Sequence, residues 1–221
     1  MKPGHLIQRP MAIPSDEALI NTPLRDDAFA LTDNEKMNQI ENYFSKIMHT
    51  LGLDLYDDSL KDTPKRVAEM FVTEIFSGLD PANKPAINLF ENKYGYDHML
   101  VEKDITLYSN CEHHFVPIIG KAHIAYIPHR HVIGLSKMNR VVQYYAKRPQ
   151  VQERLTIQIA EALKEALQHD DVAVLIEADH LCVASRGIKD TSSLTVTSSY
   201  SGRFENEATR QEFLSHIYHK K

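Results

Sequence analysis

The chain has 221 residues, 43% of them hydrophobic and 25% charged, a balance that excludes a disordered or low-complexity polymer. Its formal net charge of −5 lacks the basic excess of a nucleic-acid binder, so any anionic ligand must be held by local cations. Two cysteines are too few for a disulfide scaffold, and no apolar run is long enough to span a bilayer, so a soluble cytosolic protein with reduced thiols is expected.

Residues 1–30, with Pro3, Pro10, Pro14 and Pro23, read as an N-terminal arm without sustained periodicity. A helical segment is expected over 31–95. Its first helix starts after Thr32 and presents Met37, Ile40, Phe44, Ile47, Met48 and Leu51 on one face before Gly52. Its second starts with Thr63 as N-cap and Pro64 in the first turn, buries Val67, Met70, Phe71, Ile75 and Phe76, and stops at Gly78. From residue 96 the period changes to two. Strands are predicted over 99–109, 121–127, 171–178 and 192–199, with helices over 136–147, 151–168 and 209–219. These patterns make an α+β protein with a C-terminal antiparallel domain over 96–221.

The densest chemistry lies in Cys111-Glu112-His113-His114, matched downstream by His180-Leu181-Cys182. Thiolates and neutral imidazoles are good zinc ligands, and three protein ligands would leave a position open for water. Strand alternation would pair Cys111 with His113, whereas a turn would pair it with His114; spacing leaves both open. If the later strand continues, His180 and Cys182 share a side, one as a proton-transfer group and the other as a ligand.

A second constellation is Ser136-Lys137-Met138-Asn139-Arg140, read as a helix start with Ser136 at the N-cap. Its free amides, with Lys137 and Arg140 on one face, suit a polyphosphate. Arg66, in the first turn of its helix, and Arg186 are further anion-binding candidates. Glu153 opens the long helix, and its carboxylate matches the adjacent N1–H and N2–H donors of guanine.

Together, Cys111–Phe115, Ile133–Lys137, Arg148–Leu155, His180–Cys182 and Arg186-Gly187 resemble the GTP cyclohydrolase I family, from about Thr32 to the C-terminus. The resemblance implies a tunnelling fold, an antiparallel four-stranded sheet with two helices, preceded by the helical segment. It implies a homodecamer with active sites at subunit interfaces and neither nucleic acid nor membrane as partner. Zn2+ would be held by Cys111, His114 and Cys182, with His113 and His180 in proton transfer. Glu153 would read guanine with Gln152 nearby; Leu135, Ser136, Lys137, Arg140 and Arg186 would line the substrate site, and Arg66 would reach in from another subunit. The implied reaction opens the guanine imidazole ring of GTP at C8, releases formate and yields 7,8-dihydroneopterin triphosphate. A binding protein on the same framework would take up GTP without turnover, and a ring-opening relative would stop at a pyrimidine.

Overall fold

The computed structural model describes residues 21–219, so most of the predicted arm lies outside the described residues. Helix α1, Asp33–Thr50, is started by a capping box in which Thr32 and Glu35 satisfy each other's backbone N–H groups. Gly52 follows it with φ of 82°. The predicted apolar face is real but only partly covered: Met48 is buried, while Ile47 and Leu51 remain exposed.

Helix α2, Thr63–Glu69, has Asp62, not Thr63, at the N-cap. It passes directly into a π-helical turn, Met70–Ile75, and then a short 3-10 turn, Ser77–Leu79. Gly78 is needed for close approach: a Cβ there would meet the Tyr144 carbonyl oxygen at 2.0 Å. Its N–H donates to the Lys147 carbonyl (2.9 Å) and its carbonyl accepts from Arg148 Nε (2.7 Å), which ties the helical segment to the main domain.

The main domain contains β2 (Leu100–Cys111), β3 (Pro117–Tyr126), α3 (Leu135–Ala146), α4 (Gln152–Leu167), β6 (Val172–His180), the turn α5 (Leu181–Ala184), β7 (Thr195–Tyr200) and α6 (Glu207–Tyr218). Strands β2, β3, β6 and β7 are antiparallel neighbours in that order. Three short strands were not expected. The two-residue β5 (Pro149–Gln150) adds a parallel edge to β2, making the sheet five-stranded, and β1 (Leu89–Glu91) pairs with β4 (His131–Ile133) in a separate ribbon.

Helices α3 and α4 cover one face of the sheet. Ala122, Ile124 and Tyr126 of β3 point into this core against Met138, Val142, Leu155 and Ile159, as the alternation predicts. The opposite face is not open throughout. His123 is only 2% exposed, and Ala125, Ala173 and Leu175 are covered by Phe204 and Phe213 from the C-terminal segment. A register shift in β2 between Glu102 and Ile105 puts Asp104 at φ 60°, where its N–H donates to His123 Nδ1 (3.2 Å).

Candidate active site

Cys111 is the last residue of β2, fixed by its pairing with Gln150 of β5. The chain then turns. The Phe115 N–H donates to the Cys111 carbonyl (2.8 Å), and the Cys111 N–H donates to the Val116 carbonyl (2.9 Å), closing the hairpin into β3. Phe115 has φ of 54°, a conformation that costs a bulky residue on the order of 1–3 kcal/mol unless its surroundings hold it. The edges of Phe71 and Phe76 do so, with ring centroids 6.2 and 5.0 Å away. The π-helical turn thereby buttresses the loop that carries the two histidines.

This turn brings the donor atoms of Cys111, His114 and Cys182 within 4.8 Å of one another. Two thiols and an imidazole at that spacing fit a borderline-soft divalent metal with one coordination position left over. His113 lies to the side, its Nδ1 3.6 Å from Cys111 Sγ and its ring largely exposed. Cys182 arrives by a different route from the one its spacing suggests. Strand β6 ends at His180, and Cys182 sits on α5, so strand alternation does not relate the two. Burial, followed by the adjacent Cys111, pushes the Cys182 thiol up; a bound cation would act in the opposite sense. Arg186 Nη1 lies 2.8 Å from His114 Nε2, placing a guanidinium at the rim of the cluster.

His180 is positioned from beneath by Gln152, the first residue of α4. Gln152 is 1% exposed, and its amide nitrogen faces the carbonyls of Ile176 (3.1 Å) and Thr195 (3.0 Å) and the Thr197 hydroxyl (3.1 Å). Burial lowers the His180 pKa, opposed by the negative charges of Glu153 and Asp179. Glu153, the next residue of α4, is exposed in the first turn of the helix. One end of the sheet therefore gathers Cys111, His113, His114, His180, Cys182, Arg186 and the Gln152-Glu153 pair.

Other predicted site residues are elsewhere in the same chain. Helix α3 starts from Gly134, not Ser136, with no side-chain cap, so Leu135, Ser136 and Lys137 occupy its first turn. The helix runs in the same direction as β2: Asn139 bonds Glu102, Gln143 bonds the Thr106 carbonyl, and the Ala146 carbonyl accepts from Ser109. Arg140 sits six residues before Ala146, so about 9 Å of helix and two strand residues, about 7 Å, separate its level from that of Cys111. Arg66 projects from α2, 70% exposed and paired only loosely with Asp62 at 3.8 Å.

Two positioning contacts escaped the sequence. Arg154 pairs with Glu112 and also donates to Gln150 Oε1 (3.2 Å) and the Pro149 carbonyl (3.0 Å), anchoring the metal-cluster turn to α4. Gln152 reaches His180 across 28 positions of chain. Residue type alone signals neither pairing; the nearest clue is the cation in the first turn of α4, where the helix dipole disfavours it unless an anion is close. An apolar cavity of about 440 Å3 between α1 and the π-helical turn, lined in part by Ile40, Phe44, Phe71, Phe76 and Phe115, is too greasy for a triphosphate and lies behind the loop.

An antiparallel sheet backed by two helices, with clustered thiols and imidazoles at one end beside an exposed carboxylate, is the framework of an enzyme. The model of the family described as GTP cyclohydrolase I matches residues 40–218. GTP cyclohydrolase 1 of Flavobacterium johnsoniae is 60% identical over 195 residues, covering 88% of this chain and 87% of that protein. The proteins of the same name from Salmonella gallinarum and an Enterobacter species are each 53% identical over 201 residues, with 90% of both chains covered. The chain belongs to the GTP cyclohydrolase I family of enzymes. A solved structure of the archaeosine synthase QueF-Like in the apo form, at 19% identity and a TM-score of 0.37, covers 46% of this chain and 92% of its own, a likeness too weak to bear on fold or function.

Proposed function

We propose that this protein converts GTP to 7,8-dihydroneopterin triphosphate and formate with zinc held by Cys111, His114 and Cys182, the entry step of folate or pterin synthesis. One observation carries the reading: three metal-type donors within 4.8 Å stand beside His180 and Glu153 in a chain of this family. Zinc bound there supplies Lewis-acid activation of water near neutral pH. His113, next to the cluster and open to solvent, delivers a proton to N7 of the purine as the imidazole ring opens. His180, held by Gln152, moves protons in the ring-opening and rearrangement steps. Glu153 accepts the N1–H and N2–H of guanine, selecting it over adenine.

The triphosphate is held by the first turn of α3, from Leu135 through Ser136 and Lys137 to Arg140, and by Arg186 and Arg66. Because Arg140 is six helical residues back from Ala146, which is level with Ser109, the α3 cluster is set back from Cys111 of its own chain, and it is assigned to the metal centre of a neighbouring subunit. The half-covered apolar face of α1, with Ile47 and Leu51 exposed, supports assembly as well. Four antiparallel strands backed by α3 and α4 suit a tunnelling-fold subunit, and a homodecamer in the cytoplasm is the form proposed. None of the described helices is long and apolar enough to cross a membrane.

The test is incubation of zinc-loaded protein with GTP, following formate and the pterin chromophore together. Both are expected. An intact, zinc-loaded oligomer that produces neither would overturn the proposal, and GTP binding without turnover would make this a binding protein.

A further inference from the structure

At the far end of the sheet from the Cys111 cluster, three side chains with no part in the reaction converge. His129 lies in the turn leaving β3, His169 in the loop between α4 and β6, and Asp171 immediately before β6. Their donor atoms all lie within 4.8 Å of one another. We propose that His129, His169 and Asp171 form a second divalent-metal site, specific for borderline ions such as zinc, cobalt or nickel and separate from the catalytic centre.

The carboxylate is locked in place. Asp171 Oδ1 accepts the Arg203 N–H (2.8 Å), and the Asp171 carbonyl accepts the Ile127 N–H (3.1 Å). A Cβ on Gly202 would meet Oδ1 at 2.3 Å, so the turn that encloses this carboxylate also requires glycine. Oδ2 is left facing His129 Nε2 at 2.7 Å. Gln168, at φ 58°, ends α4 and redirects the chain so that His169 stacks on His129, with centroids 4.1 Å apart and planes 18° apart.

His169 Nε2 is buried without a hydrogen-bond partner, one of two such side-chain atoms among the described residues. Its Nδ1 accepts only the Asp171 N–H, at a long 3.2 Å. A neutral imidazole has one lone pair, so metal ligation by His169 exchanges that weak contact for a coordinate bond. His129 is half exposed, which gives the ion a path in from solvent. Two imidazoles and a carboxylate favour zinc-like ions over magnesium or calcium, which prefer all-oxygen shells.

The two centres are independent. Asp171 and His180 bracket β6, and nine residues of strand put them about 30 Å apart. At the second site the ion would clip the β3 exit, the α4–β6 loop and the entry to β6, with Asp171 extending the tie to the Gly202 turn.

The experiment counts zinc bound to the full-length, EDTA-stripped protein at micromolar free zinc, with His129→Ala, His169→Ala and His169→Gln alongside Cys182→Ser. Two equivalents per chain are expected for the parent and one for each variant. Zinc should raise the Tm of Cys182→Ser but not of Cys182→Ser/His169→Ala. A single equivalent in the parent that only Cys182→Ser removes would overturn the proposal, as would a second equivalent that survives both His169 substitutions or needs near-millimolar zinc. Because loss at Cys182 and loss at His169 are scored separately, failure of the catalytic assignment and failure of this one give different patterns.

Discussion

Gln152 Oε1 accepts a hydrogen bond from His180 Nε2 at 2.7 Å. The direction follows from the rest of the amide: its nitrogen faces two carbonyls and a threonine hydroxyl, so flipping the group would set oxygen against oxygen. His180 must therefore carry its hydrogen on Nε2, which leaves the Nδ1 lone pair as its basic position when neutral. The burial that lowers its pKa keeps it neutral near pH 7. Gln152, which the family resemblance sets beside the guanine, has its whole amide engaged within the protein.

Gln152→Ala tests that relationship through steady-state kinetics. Loss of the tautomer lock should lower kcat by about 10-fold or more with zinc content and KM little changed. The variant should also lose about 1–3 kcal/mol of stability, because buried carbonyls lose their donor. A raised KM with unchanged kcat would instead place Gln152 on the substrate.

Glu112 and Arg154 form a half-buried pair, with 28% and 12% of their side chains exposed. Glu112→Gln leaves the guanidinium without its counter-charge and should cost about 1–3 kcal/mol, less than a fully buried pair would. The turn that carries Cys111 and His114 loosens with it, so zinc affinity should fall in parallel. Thermal unfolding and a competitive zinc chelator measure the two effects. Unchanged zinc affinity would limit the pair to a stabilising role.

Stability should fall on the acid side of neutrality. Burial lowers the pKa of both His123 and His180 below the ordinary value, so the unfolded chain takes up protons first. Their contribution is full above about pH 6.5, declines as pH drops below it, and levels off below the folded pKa values. His123 Nε2 lies 3.5 Å from Glu177 Oε2 without a hydrogen bond, so desolvation outweighs that attraction. His123→Gln should flatten the decline of Tm between pH 7 and pH 5; an unchanged slope would shift the cause to other groups.

The proposed division of the site between subunits predicts complementation. Cys182→Ser and Arg140→Ala should each be inactive alone. Unfolded together in equal amounts and reassembled, they should recover about one quarter of parental activity, because a random mixed ring leaves that share of sites intact. No recovery from a mixed oligomer would mean that one chain supplies both halves.

The elements that the sequence predicts well are those whose signal is local. The Thr32–Glu35 capping box and the apolar period of α1 and α4 are written within a few turns of chain. The antiparallel strands are visible in their alternation, although burial of Ala125 and Leu175 on the other face depends on the remote Phe204 and Phe213 segment. The metal-type motif is legible because three of its four neighbouring donors occupy four consecutive residues, yet only the turn at Phe115 selects His114 as the partner of both cysteines. What the sequence conceals is long-range. The β5 edge, the Gln152–His180 bond and the Arg154–Glu112 pair each join positions brought together only by the sheet. The break between β6 and α5 defeats simple alternation at Cys182 in the same way.

The most direct test of function uses GTP labelled at C8. The zinc-loaded oligomer should release one labelled formate for each GTP consumed, with an equal yield of unlabelled pterin triphosphate, and Cys182→Ser should release none. Label retained in a formylated pyrimidine, or GTP consumed without formate, would contradict the proposed reaction.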